Sequence, residues 1–128
     1  MTTLAQEFGF TADQVQAITS QAFDLIDAGD LDGAVVIFNG LLILNPTDAA
    51  IQAALGSVFH QQGKLSEARD AYDLAIALHG DTVLARVNRG DLRCKAGDLG
   101  GLEDLKIAAR IPTAVQARAQ ALMRLYAR

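Results

Sequence analysis

Gly63-Lys64-Leu65-Ser66-Glu67-Ala68 decides how this chain is read. Moving back 34 residues gives Gly29-Asp30-Leu31-Asp32-Gly33-Ala34, and moving forward 34 gives Gly97-Asp98-Leu99. Three Gly-x-Leu turns at one spacing make an internal repeat. A repeat of that length is one two-helix unit, which cannot bury its apolar face alone and must stack on its neighbours. The fold class expected is all-α: a solenoid of three stacked helix-turn-helix units closed by a C-terminal helix. Each turn glycine ends a first helix, where a residue without Cβ tolerates a left-handed backbone.

The middle unit, 49–82, carries Leu55-Gly56, Phe59, Gly63, Leu65, Ala68, Tyr72, Ala75 and Leu78. That order of small, aromatic and turn residues resembles the tetratricopeptide repeat. The first unit, 15–48, keeps Ala22, Leu25, Gly29, Leu31, Ala34, Phe38, Leu44 and Pro46. The third, 83–112, keeps Gly90, Gly97, Leu99 and Ala109, with Asn88-Arg89-Gly90 also typical of the family. It departs at Leu102, where a small Ala is usual, and at Arg93, where an aromatic is usual. A turn shortened by one residue at Gly100-Gly101 restores the register of Leu105 and Ala108. Residues 1–14 form an N-terminal segment and 113–128 the capping helix of a single domain. Three units with these two additions also match the layout of type III secretion chaperones that bind translocator proteins.

Local signals place the helices. Thr11-Ala12-Asp13-Gln14 reads as a capping box with Phe10 and Val15 as its hydrophobic staple, so the first long helix starts near Ala12. The second, about 33–44, is rich in β-branched residues and alone resembles a buried strand; the repeat register overrides that preference. Asp32 and Ser66 are its cap and that of the fourth long helix, and Asn45-Pro46 is a stop. Thr113 to Gln116 reads as another capping box, opening the last helix.

Charge is uneven. The residues before Lys64 contain seven acids and no Lys or Arg, while the remainder carries +3, for a total of −4. The single Cys excludes an internal disulfide and fits a reducing compartment. Residues 1–10 lack the basic start of a secretory signal, and no apolar run is long enough for a bilayer. The expected location is cytoplasmic, with no membrane partner.

Chemistry is sparse. His60 and Cys94 hold the same place in successive units, but no third orienting group accompanies them, so neither catalysis nor a metal site is expected, and no cofactor. His79 reads as a cationic helix end. Arg86, Arg89 and Arg93 form a helical stripe that reads as ion pairing to Asp70, Asp73, Glu103 or Asp104 rather than nucleic-acid contact.

The family resemblance implies a concave groove lined by the first helix of each unit. By position its walls are Thr19, Phe23, Ile26 and Asp27; then Ala53, Ser57, His60 and Gln61; then Leu84, Val87, Asn88, Asp91, Cys94 and Lys95. Some family members clamp a C-terminal carboxylate with Lys, Asn and Arg. The corresponding positions here are Thr19, Phe23, Ala54, Leu84 and Asn88, of which only Asn88 matches. The expected function is protein binding, as an adaptor or chaperone for a partner segment, with self-assembly as the alternative and an enzyme as a distant third. A homo-oligomer, most simply a dimer, is expected from the apolar stripe Val36, Gly40 and Ile43, unless Leu4 and Phe8 of the same chain cover it.

Overall fold

A computed structural model describes residues 3–127. Among these, eight helices and no strand occur: α1 (Leu4–Glu7), α2 (Ala12–Asp27), α3 (Leu31–Leu44), α4 (Ala49–Gln61), α5 (Leu65–Leu78), α6 (Val83–Lys95), α7 (Gly101–Ala109) and α8 (Gln116–Tyr126). Consecutive helices pack as antiparallel neighbours from α2 to α8, and α4 also meets α6 as α6 meets α8. α4, α6 and α8 therefore form one inner row, with α2 at its N-terminal end packed on the first core cluster.

The turn glycines do what their spacing predicts. Gly29, Gly63 and Gly97 lie at φ of 84°, 77° and 85°. Each is followed by a residue whose N–H reaches back across the helix end: Asp30 to Leu25 O at 2.8 Å, Lys64 to Phe59 O at 2.9 Å and Asp98 to Arg93 O at 2.9 Å. This satisfies otherwise orphaned carbonyls and turns the chain directly into its second helix.

That geometry shifts the caps from the positions expected. α3 starts at Leu31 and is capped by Asp30, which accepts from Gly33 N at 2.9 Å. Asp32 instead accepts from Gln62 Nε2 at 2.6 Å and ties the first unit to the second. α5 follows Lys64 without a side-chain cap, leaving Ser66 inside the first turn. The Thr11–Gln14 box forms, as does a second one between Thr3 and Gln6. Thr113 makes no such box: its hydroxyl accepts from Val115 N, while Gln116 Nε2 donates to Ala109 O at 2.9 Å and fastens α8 to α7. His79 Nδ1 accepts from Asp81 N at 3.3 Å, so this ring braces the turn after α5.

Packing explains the small residues. A Cβ on Gly56 would stand 2.6 Å from the Tyr72 ring and 3.3 Å from Ala68 O. In the third unit a Cβ on Gly90 would meet Leu105 at 2.8 Å and Gly101 O at 2.9 Å. Gly101 and Leu105 thus take the places of Ala68 and Tyr72, one residue early, and Ala108 is fully buried below them. The shortened turn read from the sequence accounts for this register. No helix among the described residues is long and apolar enough to cross a membrane.

Candidate functional site: the inner face of α2, α4 and α6

Phe23 opens the N-terminal end of the inner face. It is 47% exposed and its ring stands edge-on to Phe38, with centroids 5.6 Å apart. Thr19 is half-buried and donates its hydroxyl to Val15 O at 2.8 Å. Ile26 packs on the first core cluster, and Asp27 is exposed. Exposed Leu84 supplies an apolar group on α6.

Between α4, α6 and α8 lies a polar well of about 400 Å³. Ser57, His60 and Gln61 come from α4, Leu84, Asn88 and Asp91 from α6, Tyr72 from α5 and Arg118 from α8. Asn88 fixes its centre: Nδ2 donates to Ser57 Oγ at 3.0 Å, and Oδ1 accepts from Arg118 Nη1 at 2.7 Å. Asp91 is buried beside it. It accepts from Tyr126 OH at 2.6 Å and pairs with Lys95 at 3.3 Å and, more loosely, with Arg118 at 3.7 Å. Tyr72 OH lies 3.4 Å from His60 Nδ1.

These surroundings set the titration of the phenols. Burial pushes Tyr72 up, although hydrogen bonds with Ser57 and Asn88 pull the other way. Burial and the bond to Asp91 push Tyr126 up to about 12. Both phenols stay protonated through neutral pH and keep their donor hydrogens.

Several expected groove residues lie elsewhere. Ala53 and Val87 are fully buried core and leave no surface to a ligand: Ala53 packs with α5 and α6, and Val87 belongs to the cluster that α6 makes with α7 and α8. Cys94 faces α7: its Sγ would stand 2.9 Å from a Cβ on Gly101, and burial pushes its thiol up. It therefore forms no pair with His60 across the groove. Lys95 is largely exposed and engages Asp91. Among the described residues no three His, Cys, Asp or Glu side chains gather as metal ligands do. Tyr72 and Arg118 complete the well, and Tyr126 holds its Asp91, although spacing along the first helices did not point to them.

The arginine stripe is taken up internally. Arg86, Arg89 and Arg93 all reach Asp104, at 2.9, 2.6 and 3.5 Å, and Arg89 also binds Asp73 and Arg93 Asp98. Burial of Asp104 opposes its charge, yet the bonds from Arg89 and Arg86 outweigh that and hold its carboxyl below the usual range.

On the opposite side, α3 presents Val36 and Ile43, 71% and 67% exposed, with nothing within 4 Å of a Cβ on Gly40. α1 rests on α3 through buried Ala5. Leu4 and Phe8 are themselves exposed and do not cover the stripe.

Helix pairs stacked at this period, with an inner face of first helices, define a repeat solenoid. Residues 25–87 match the family model described as Tetratricopeptide repeat. Those residues are just under half of the chain, and the fold of the described residues is of the same kind. The chain is similar to the type III secretion translocator chaperone SycD of Yersinia enterocolitica: TM-score 0.87, 18% identity, 98% of each chain covered. It is also similar to PcrH, solved in complex with the chaperone binding region of PopB: TM-score 0.78, 25% identity, 89% of this chain and 98% of that one. A curated relative is cellulose synthase operon protein C of Xanthomonas axonopodis pv. citri (strain 306), 33% identical over 113 residues. That match takes in 85% of this chain but only 8% of the relative's length.

Proposed function

We propose that the chain is a protein-interaction module that holds an extended segment of a partner polypeptide along the inner face of α2, α4 and α6, as an adaptor or chaperone does. The observation that carries this is the pairing of exposed apolar groups, Phe23 and Leu84, with a preformed polar well in the same row. Apolar anchors supply affinity while fixed polar groups set register, the usual division of labour in peptide recognition. PcrH, of similar fold, was solved in complex with the chaperone binding region of PopB. The reading is of binding rather than catalysis: the one thiol lies in the α6–α7 joint.

The test uses a library of random, acetylated and amidated decapeptides selected on the immobilised protein. Phe23→Asp places a charge at the apolar end of the face, at the cost of the edge contact between Phe23 and Phe38. It is expected to abolish binding of the selected peptides while leaving the far-ultraviolet circular dichroism helical. Unchanged affinity moves the site off this face.

Self-association is the second reading, favoured by the uncovered Val36–Gly40–Ile43 stripe. Gly40 inside a helix costs about 1 kcal/mol relative to Ala, and here it leaves room for a second helix to approach. Sedimentation at rising protein concentration is expected to show an oligomer that Val36→Glu disperses. A monomer throughout removes this reading and leaves the first intact.

A further inference from the structure

The polar well has a donor surplus. The Arg118 guanidinium carries five N–H groups in a fixed fork. One is bonded to Asn88, and the nearest approach to a carboxylate is 3.7 Å, beyond hydrogen-bond range. Beyond that loose ion pair, the remaining Arg118 donors make no hydrogen bond among the described residues. The well's own carboxylate is already occupied: Asp91 is 5% exposed and holds Tyr126 and Lys95 more closely than Arg118. Two cations thus face one anion. Ser57 Oγ accepts from Asn88 and also neighbours the Tyr72 hydroxyl, and Gln61 adds an amide at the rim.

Arg118 is also held in place. Because Asn88 Nδ2 is committed to Ser57, its Oδ1 must face Arg118, which locks the guanidinium over the well from the far side of the capping helix. The side chain is 45% exposed, so the charge is partly withdrawn from water yet open to a ligand. Partial desolvation strengthens a charge pair relative to the free surface.

We infer that this well receives the carboxylate of an aspartate or glutamate within the bound segment, and that Arg118 is the residue that holds it. The inference rests on reading this face as a peptide groove. An internal residue fits better than a chain terminus. Of the positions with which family members clamp a terminal carboxylate, those held here by Thr19, Phe23, Ala54 and Leu84 are not cationic. The segment's charge also suits the place: residues from Lys64 onward, which include α6 and α8, carry +3.

The experiment selects peptides from the acetylated, amidated library on the wild type, on Arg118→Gln and on Arg118→Lys. Wild-type selection is expected to enrich Asp or Glu at one fixed position. The best peptide should bind Arg118→Gln about tenfold more weakly, as for loss of one charge-assisted hydrogen bond. Arg118→Lys should retain most of the affinity. Replacing the peptide's Glu by Gln should cost the wild type the same factor and Arg118→Gln nothing further. Should Arg118→Gln loosen α8, the peptide substitution on the wild type decides alone. Selected peptides without an acidic preference overturn this inference and leave the groove reading standing. A preference seen only with free C-terminal carboxylates overturns it in favour of a terminus. Failure to select any peptide removes the groove reading and this inference with it.

Discussion

The α4–α5 and α6–α7 joints are copies of one design filled in two ways. In the first, Gly56 admits the Tyr72 ring, and the neighbouring places hold Leu55, Phe59 and Ala71. In the second, Gly90 admits Leu105, and the places of Leu55, Phe59 and Ala71 are held by Arg89, Arg93 and Asp104. Hydrocarbon and an ion cluster thus close equivalent gaps. The first is filled by an aromatic ring and aliphatic groups, whereas the second centres on one buried, ionised carboxylate. A repeat family conserves the approach of its backbones more strictly than the chemistry of what fills them, because close approach is what stacking requires.

The largest expected effect follows from removing the centre of the ion cluster. Asp104→Ala leaves three partly buried arginines without their shared partner and should cost about 4 kcal/mol in denaturant unfolding. The same carboxyl gives a pH signature. Its folded pKa lies below the unfolded value of about 3.9. Its contribution is therefore present above that value and lost as pH falls through the folded pKa. Wild-type stability should drop over this acid window, and Asp104→Ala should show a shallower drop. Equal slopes would mean the cluster contributes little.

Next come the glycines. Gly101→Ala places a Cβ 2.5 Å from Gly90 O, a backbone atom that cannot swing away, and should cost about 3 kcal/mol by thermal or denaturant melting. Gly56→Ala meets the buried Tyr72 ring instead and should cost about 2 kcal/mol, since a side chain yields more readily than a backbone. The reverse order would break the comparison between the joints.

The repeat was legible in the sequence because its determinants are local: a glycine that must take positive φ, and small residues where backbones touch. Even the irregular third unit was readable, through the displaced Leu105 and Ala108. Caps were less so. Asp32 and Ser66 look like better caps than Asp30 and Lys64, but the turn after each glycine starts the helix sooner than those side chains imply. The groove was legible only in part. Helical spacing gives Phe23, Ser57, His60 and Leu84 surface, and in the structure each of them keeps some. It overextended the row to Ala53 and Val87, since spacing along one helix does not say how closely the next helix covers it. Arg118 was out of reach for a different reason. It enters the well from α8, 30 residues from Asn88, and only tertiary packing brings the two together.

The account's central claim is that the inner face, not the outer stripe, holds the partner segment. Titrating one selected peptide against Phe23→Asp and Val36→Glu side by side tests it most directly. Loss of binding in Phe23→Asp with wild-type affinity in Val36→Glu is the predicted result. Retained binding in Phe23→Asp with loss in Val36→Glu would contradict it.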